Sequence, residues 1–346
     1  MLMMKRTFSF LAAAALALPL FSFSAPATAQ ELRVITHSSF SLPKPMLAQF
    51  EAQAGVKLSV VKAGDAGEML NKLILTKAQP IADVVFGLDN ALITKAQAAG
   101  VIEPYAGAAQ QRGVAGAMLA PGVVSVDYGF VTLNYDRAAF AKSGLALPKT
   151  LEELTLPQYR DLLVVQNPAT SSPGQAFLLA TVAGMGETAA FDWWARMRAN
   201  GVKVVKGWTE AYYTEFSRNG GTRPLVVSYA TSPAAEVFYS KEKITEPPTG
   251  NLFLKGGVFR QVEGVALVKG GGQREAAVKF IEFMRSPAAQ EALQTTMWMF
   301  PAEPGVARPE VMRHASEPAS FDNPSSEAIA EKGADWVSRW TRVVLK

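Results

Sequence analysis

Cysteine is absent from this chain, and histidine occurs only twice, at His37 and His314. Without thiols there is no disulfide, no thiolate nucleophile and no thiolate metal site, so the fold must be held by its core. Two histidines leave a histidine-based metal cluster or a Ser/His/Asp triad almost nothing to draw on. A strong charge bias is missing too: 34 Lys and Arg face 30 Asp and Glu, with no basic cluster of the kind that tracks nucleic acid. No Gly-rich pattern runs into a lysine, which argues against nucleotide hydrolysis. The longest apolar run, Thr7 to Phe23, is broken by Pro19 and falls short of the ~20 residues a membrane span needs.

That run reads instead as a secretory signal, with Lys5-Arg6 as its charged start and Ala27-Thr28-Ala29 as small residues at a cleavage site. The exported chain is expected to begin near Gln30, which removes Lys5 and Arg6 and leaves it nearly neutral. About half of the 346 residues are apolar, enough for a large core, and a chain of this size tends to divide into two lobes.

The stretch Val202 to Pro233 carries the most information. An apolar run, Val202 to Val205, breaks at Lys206-Gly207-Trp208-Thr209-Glu210, continues as a helical Ala211 to Phe216, and returns to an apolar run from Leu225. Strand, helix, strand gives two parallel strands. Trp208 and Tyr229 then fall near the carboxyl ends of both, where open α/β sheets bind ligands. Two aromatic faces at one edge suit a flat or cationic guest.

Before it, short strands are expected at Leu32 to Thr36, Val56 to Val61 and Ala82 to Gly87, alternating with helices closed at Gly55, near Lys77 and at Gly100. This β-α-β-α-β-α order implies a mostly parallel sheet with helices on both faces. Val123 to Asn134, two apolar runs around Asp127-Tyr128-Gly129, would cross into a second lobe, and Phe259 to Val268 would return. The expected division is a signal at 1–29, a first lobe of 30–127 plus 264–346, and a second of 128–263. Trp193, Trp194, Trp336 and Trp340 belong to the core, the last two on a closing helix.

Three groups of residues could carry chemistry. Thr170-Ser171-Ser172-Pro173-Gly174 stands directly before a helix, so its hydroxyls and free amides either hold an anion or simply cap the helix. Asp65, Asp89 and Asp127 lie at what reads as the inter-lobe edge. Each either pairs with a cationic ligand, beside Trp208, Tyr229 and Trp298, or caps a helix or turn. His37, in the loop after the first strand, is either a site residue or an ordinary loop residue.

Six segments, in order, resemble the periplasmic thiamine-binding proteins of ABC importers, within a wider group of two-lobed binders of ferric ion and spermidine. They are Ala82 to Asn90, Asp127 to Phe130, Asn167 to Gly174, Lys206 to Tyr212, Ser228 to Pro233 and Trp298 to Pro301. The resemblance implies a type II periplasmic-binding-protein fold: two doubly wound α/β lobes with a hinge of crossing strands. It also implies a periplasmic, non-catalytic, monomeric protein without a cofactor that delivers its ligand to a membrane permease and ATPase.

It assigns Trp208, Tyr229 and Trp298 to aromatic walls and Asp65 and Asp89 to polar contacts. Ser171, Ser172 and Gly174 go to the phosphate end of a phosphorylated vitamin, and Tyr128, Tyr212 and Ser232 to further contacts. The chain departs from that pattern at His37 and Lys44, where thiamine binders bring a tyrosine and a tryptophan, and at Ala235, where they bring an aromatic. A ferric binder, a polyamine or aminophosphonate binder, and a secreted hydrolase using paired carboxylates stand as alternatives. Ferric binders have two adjacent tyrosines where this chain has Tyr229-Ala230.

Overall fold

The computed structural model describes residues 30–113 and 117–346; the expected signal at 1–29 lies outside them. One 11-stranded sheet organises the chain, with the order β2-β1-β3-β10-β5-β8-β6-β7. On one side are β1 (Gln30–Thr36), β2 (Val56–Lys62), β3 (Val84–Asp89) and the short β4 (Ile102–Glu103). On the other are β6 (Leu163–Gln166), β7 (Lys203–Val205) and β8 (Leu225–Tyr229). β5 (Val123–Asp136) and β10 (Phe259–Val268) join the two halves, with β9 (Thr249–Leu252) and β11 (Phe300–Pro301) paired to β5.

Neighbours within each half run parallel, and the joining strands run antiparallel to each other and to β3 and β8. The two strands read around Trp208 and Tyr229 are parallel as expected, but β6 lies between them and pairs with both.

β5 is longer than the two apolar runs suggested. Asp127 does not interrupt it, because it lies opposite Glu263 in the β5–β10 register. A bulge follows Glu263, shifting the register before Gly264 and adding local bend and twist to the crossing.

Strand alternation sets the cores. In the first half, Leu32, Val34, Val84 and Phe86 face one layer while Ile35 and Val85 face the other. The first layer is closed by α1 (Lys44–Ala54), α9 (Arg274–Met284) and α10 (Pro287–Thr296), the second by α2 (Ala66–Leu75) and α3 (Ile93–Ala99). Gly55 and Gly100 end α1 and α3 at φ 69° and 65°, left-handed geometry that glycine adopts without a Cβ clash.

In the second half, α4 (Arg137–Ser143), α5 (Ser172–Met185) and α6 (Glu187–Ala199) cover the face of Leu163, Val165, Leu225 and Val227. Val164 and Val226 meet Tyr212 and Phe216, beyond the one-turn α7 (Trp208–Glu210). α8 (Ser232–Phe238) follows β8.

The last helix, α11 (Ser326–Trp340), lands on this second core. Trp340 packs edge-on against Trp194 at 5.4 Å, and Trp194 meets Trp193 at 4.8 Å. All four tryptophans assigned to the core are buried. No helix among the described residues is long and apolar enough to cross a membrane.

Candidate functional site

A cleft of about 1230 Å³ opens along the sheet where the two halves meet. From the first half it takes the loop after β1, the start of α2 and the turn after α10. From the second it takes the start of α5, the Lys206–Tyr213 segment and α8. Of the residues expected at a ligand, His37, Asp65, Ser172, Trp208, Tyr212, Tyr229, Ser232 and Trp298 line it.

The aromatic wall is built from the turn after β7. Trp208 stacks on Tyr212 at 5.0 Å and 19°, and stands edge-on to Tyr213 at 5.5 Å and to Tyr229 at 6.4 Å. Its indole N–H donates to Ser228 Oγ at 2.8 Å, and Ser228 and Ser232 share a hydroxyl contact at 3.0 Å. That anchor leaves the indole half-buried with a face toward the cleft. Tyr212 donates to Glu236 at 2.8 Å; burial and the Glu236 charge push its phenol well above its ordinary pKa, so it stays a neutral donor.

Asp65 ties the two halves together. It caps α2 by accepting from Ala66 N at 2.7 Å, then reaches across the cleft to accept from Ser171 Oγ at 2.7 Å, Trp208 N at 3.0 Å and Ser172 N at 3.4 Å. The anion expected at Thr170 to Gly174 is therefore met within the molecule by a carboxylate, at a helix N-terminus whose free amides favour negative charge. Two flanking contacts strengthen the join: Glu68 N donates to Thr170 O at 3.1 Å, and Lys206 pairs with Glu68 at 2.6 Å.

Four expected residues are placed elsewhere. Ser171 is buried and spends its hydroxyl on Asp65. Gly174 is a packing glycine: a Cβ there would stand 2.5 Å from the Gln166 carbonyl oxygen, where α5 crosses β6. Tyr128 turns to the opposite face of β5 from Asp127, against Phe130 and Phe300, with Arg260 over its ring at 4.8 Å. Successive strand residues point to opposite faces, so Tyr128 and Asp127 cannot share a site. Asp89 is fully buried beneath the floor, accepting from Ala91 N, Leu92 N and Gln261 Nε2 at 3.0, 2.9 and 2.5 Å.

The floor holds the residue that sequence reasoning missed, Glu263. It lines the cleft from β10, 3.6 Å from His37 Nε2, beside the buried Asp127. His37 fits because Gly87 lies beneath it at φ 100°; a Cβ there would meet the imidazole at 2.3 Å. The imidazole accepts from Ser39 N at Nδ1, at 3.2 Å, which leaves Nε2 turned toward Glu263.

Burial alone would push the imidazole's pKa down, but Glu263 and then Asp65 outweigh it, so it stands above its ordinary value. Burial drives Asp89 up to about 7, with the Glu263 charge adding to it against the Gln261 hydrogen bond. Asp127 is pushed well above the carboxylate range by burial and by Glu263. Burial, and after it the negative charges of Glu263, Asp65 and Asp89, likewise keeps the Tyr229 phenol protonated. An acidic residue inside the apolar run of β10 was the available signal.

Seven carboxylates (Asp65, Glu68, Glu210, Glu236, Glu242, Glu246 and Glu263) line the cleft against Lys206, Arg218 and Lys241. Lys206 and Arg218 are already paired, with Glu68 and Glu236. An acidic cleft with aromatic walls concentrates cations and offers their flat faces cation-π attraction. Among the described residues, no three His, Cys, Asp or Glu side chains are grouped to hold a metal ion.

Comparison with known proteins agrees with this geometry. Residues 79–332 match the family described as bacterial extracellular solute-binding protein. The thiamine-binding periplasmic protein of Salmonella typhimurium is 33% identical over 328 residues, 93% of this chain and 96% of that protein. Among solved structures, a periplasmic thiamin binding protein superposes with a TM-score of 0.80 at 32% identity, covering 91% of this chain and 96% of that one. The ferric binding protein from Campylobacter jejuni shares the fold, with a TM-score of 0.73 at 19% identity over 90% of this chain and 99% of that one.

Proposed function

Since the chain belongs to the bacterial extracellular solute-binding proteins, we propose that it is the periplasmic receptor of an ABC importer for thiamine or a phosphorylated thiamine. The observation that carries this reading is the acidic cleft walled by Trp208, Tyr212 and Tyr229, which suits a flat, permanently cationic heterocycle. Glu263 on the floor supplies an opposing charge, and Trp298 stands at the mouth.

The lobes divide at the joining strands, 30–127 with 264–346 against 128–263, and α11 reaches back onto the second lobe's core. Closure over the ligand is a population shift, read by a membrane permease and its ATPase. The chain does this as an exported monomer after loss of its signal near Ala29. The adjacent tyrosine of ferric binders is replaced by Ala230, which favours the organic cation.

A thermal-melt screen with thiamine, its monophosphate and its diphosphate tests the reading. Ligand at a hundred times its dissociation constant should stabilise the fold by about 2.7 kcal/mol, a clear rise in melting temperature. No shift with any of the three would sink the thiamine assignment. Comparing them also reads whether the α5 N-terminus, held by Asp65, accepts a phosphate.

A further inference from the structure

We propose that Tyr239 is a ligand-covering residue of this cleft, its ring closing the mouth from the α8 side while Trp298 closes it from the other. The proposal rests on the cationic-ring reading above and adds to it a residue that the sequence did not single out.

Tyr239 ends α8, its amide donating to the Ala235 carbonyl one turn earlier at 3.0 Å, and it lines the cleft. Ala235 lines the cleft as well and brings no ring. Tyr239 is therefore the one aromatic that α8 contributes to the lining. Its side chain is 63% exposed, which is a poor use of a large ring if its role were to hold the fold.

Its protein partners are weak. The phenol reaches the Thr295 carbonyl at 3.5 Å and the Trp298 indole N–H at 3.4 Å, both at the limit of hydrogen bonding. The Tyr239 and Trp298 rings stand 5.6 Å apart at 70°, with Phe238 edge-on to both at 5.1 and 5.2 Å. The two rings come from the two halves of the cleft and already meet edge-on at its mouth, so together they roof it and would cover a guest held beneath them.

Trp298 supplies the second observation. It has φ 60°, a left-handed conformation that a bulky side chain adopts only when its surroundings impose it. Its amide is held by the Leu293 carbonyl at 3.1 Å, and the turn after α10 brings the indole into the cleft lining while it also packs against the Tyr128 and Phe300 cluster. Strain of this kind concentrates at ligand clamps. An exposed tyrosine meeting a strained, half-buried tryptophan at the mouth of an acidic cleft is a pair placed to cover an aromatic cation.

Titration calorimetry of the exported chain with thiamine, for the unsubstituted protein, Tyr239→Phe and Tyr239→Ala, tests this. Tyr239→Ala is expected to weaken thiamine about tenfold, mainly through faster release, whereas Tyr239→Phe keeps affinity within about threefold because the ring remains. Both variants are expected to melt with the unsubstituted protein when ligand-free. Thiamine binding by Tyr239→Ala within twofold of the unsubstituted protein overturns the proposal, and so does an equal loss in both variants, which would make the phenol and not the ring the contact. An unsubstituted protein that takes up no thiamine sinks the functional reading itself, and this proposal with it.

Discussion

Asp65→Ala is expected to destabilise the ligand-free chain by about 2–4 kcal/mol, the sum of a lost helix cap and of charge-assisted hydrogen bonds left without an acceptor. The magnitude follows from what one carboxylate holds. It caps α2 through Ala66 N and, from across the cleft, satisfies Ser171 Oγ, Trp208 N and Ser172 N. Alanine strands all four donors. Water reaches the cleft and recovers part of the loss, which keeps the figure below the cost of a fully buried charge.

The substitution also removes a negative charge from the cleft and frees the Trp208 turn, so affinity for a cation should fall with stability. Asp65→Asn keeps an oxygen to cap α2 but puts an NH₂ where the second oxygen accepts from Trp208 N, so it should lose the charge and that bond while sparing the cap, and fall between the two in stability. Urea denaturation gives the stability term. A midpoint for Asp65→Ala that matches the unsubstituted protein would show that the two halves are not joined there.

The buried acids under the floor should make the ligand-free chain less stable as pH rises. Asp89 starts from 3.8 when unfolded and stands at about 7 when folded. Below pH 4 both states hold the proton and no penalty arises. Between 4 and 7 the unfolded chain releases it while the folded chain retains it, so stability falls, by on the order of 4 kcal/mol once both states are ionised. Asp127, raised by burial and by Glu263, adds to the same slope. His37 does as well: its raised pKa is a stabilisation present below 6.5 and lost as pH climbs through the folded value.

Asp89→Asn isolates one contribution. The amide oxygen can still accept from Ala91 N and Leu92 N, and its NH₂ can donate to Gln261 Oε1, which is buried without a partner. The variant should match the unsubstituted protein near pH 4 and exceed it by up to about 4 kcal/mol near pH 8. Melting curves across that range check it. Parallel curves for the two proteins would mean that Asp89 titrates normally.

Much of this fold is legible in the residues because local rules and tertiary demands agree. Gly55 and Gly100 stop helices where a left-handed turn is required, and Phe259 to Val268 is a strand at the expected boundaries. The Trp208 and Tyr229 edge was found from a strand-helix-strand pattern alone, since strand ends and aromatics are both local signals. What escaped depends on pairing across distance. Asp127, expected between the two apolar runs of the crossing, gave no local sign that its neighbour would be Glu263, supplied by β10.

Ser171 and Ser172 read as an anion site without any sign that the anion would be Asp65. Tyr128 could have been excluded by parity with Asp127 on the strand. Asp89 and Glu263 exchanged places in the reading: the acid on the expected motif is buried beneath the floor, and the acid inside an apolar run is the one that lines the cleft.

An acidic, aromatic-walled cleft should select a flat cation by charge as well as by shape. Calorimetry at pH 8 with thiamine and with thiochrome, its neutral tricyclic oxidation product, puts the charge term to the test. One thiamine per chain is expected, bound at least tenfold more tightly than thiochrome, a difference of about 1.4 kcal/mol that one cation-π or carboxylate contact can supply. Equal affinity for the two, or heat from neither, would contradict it.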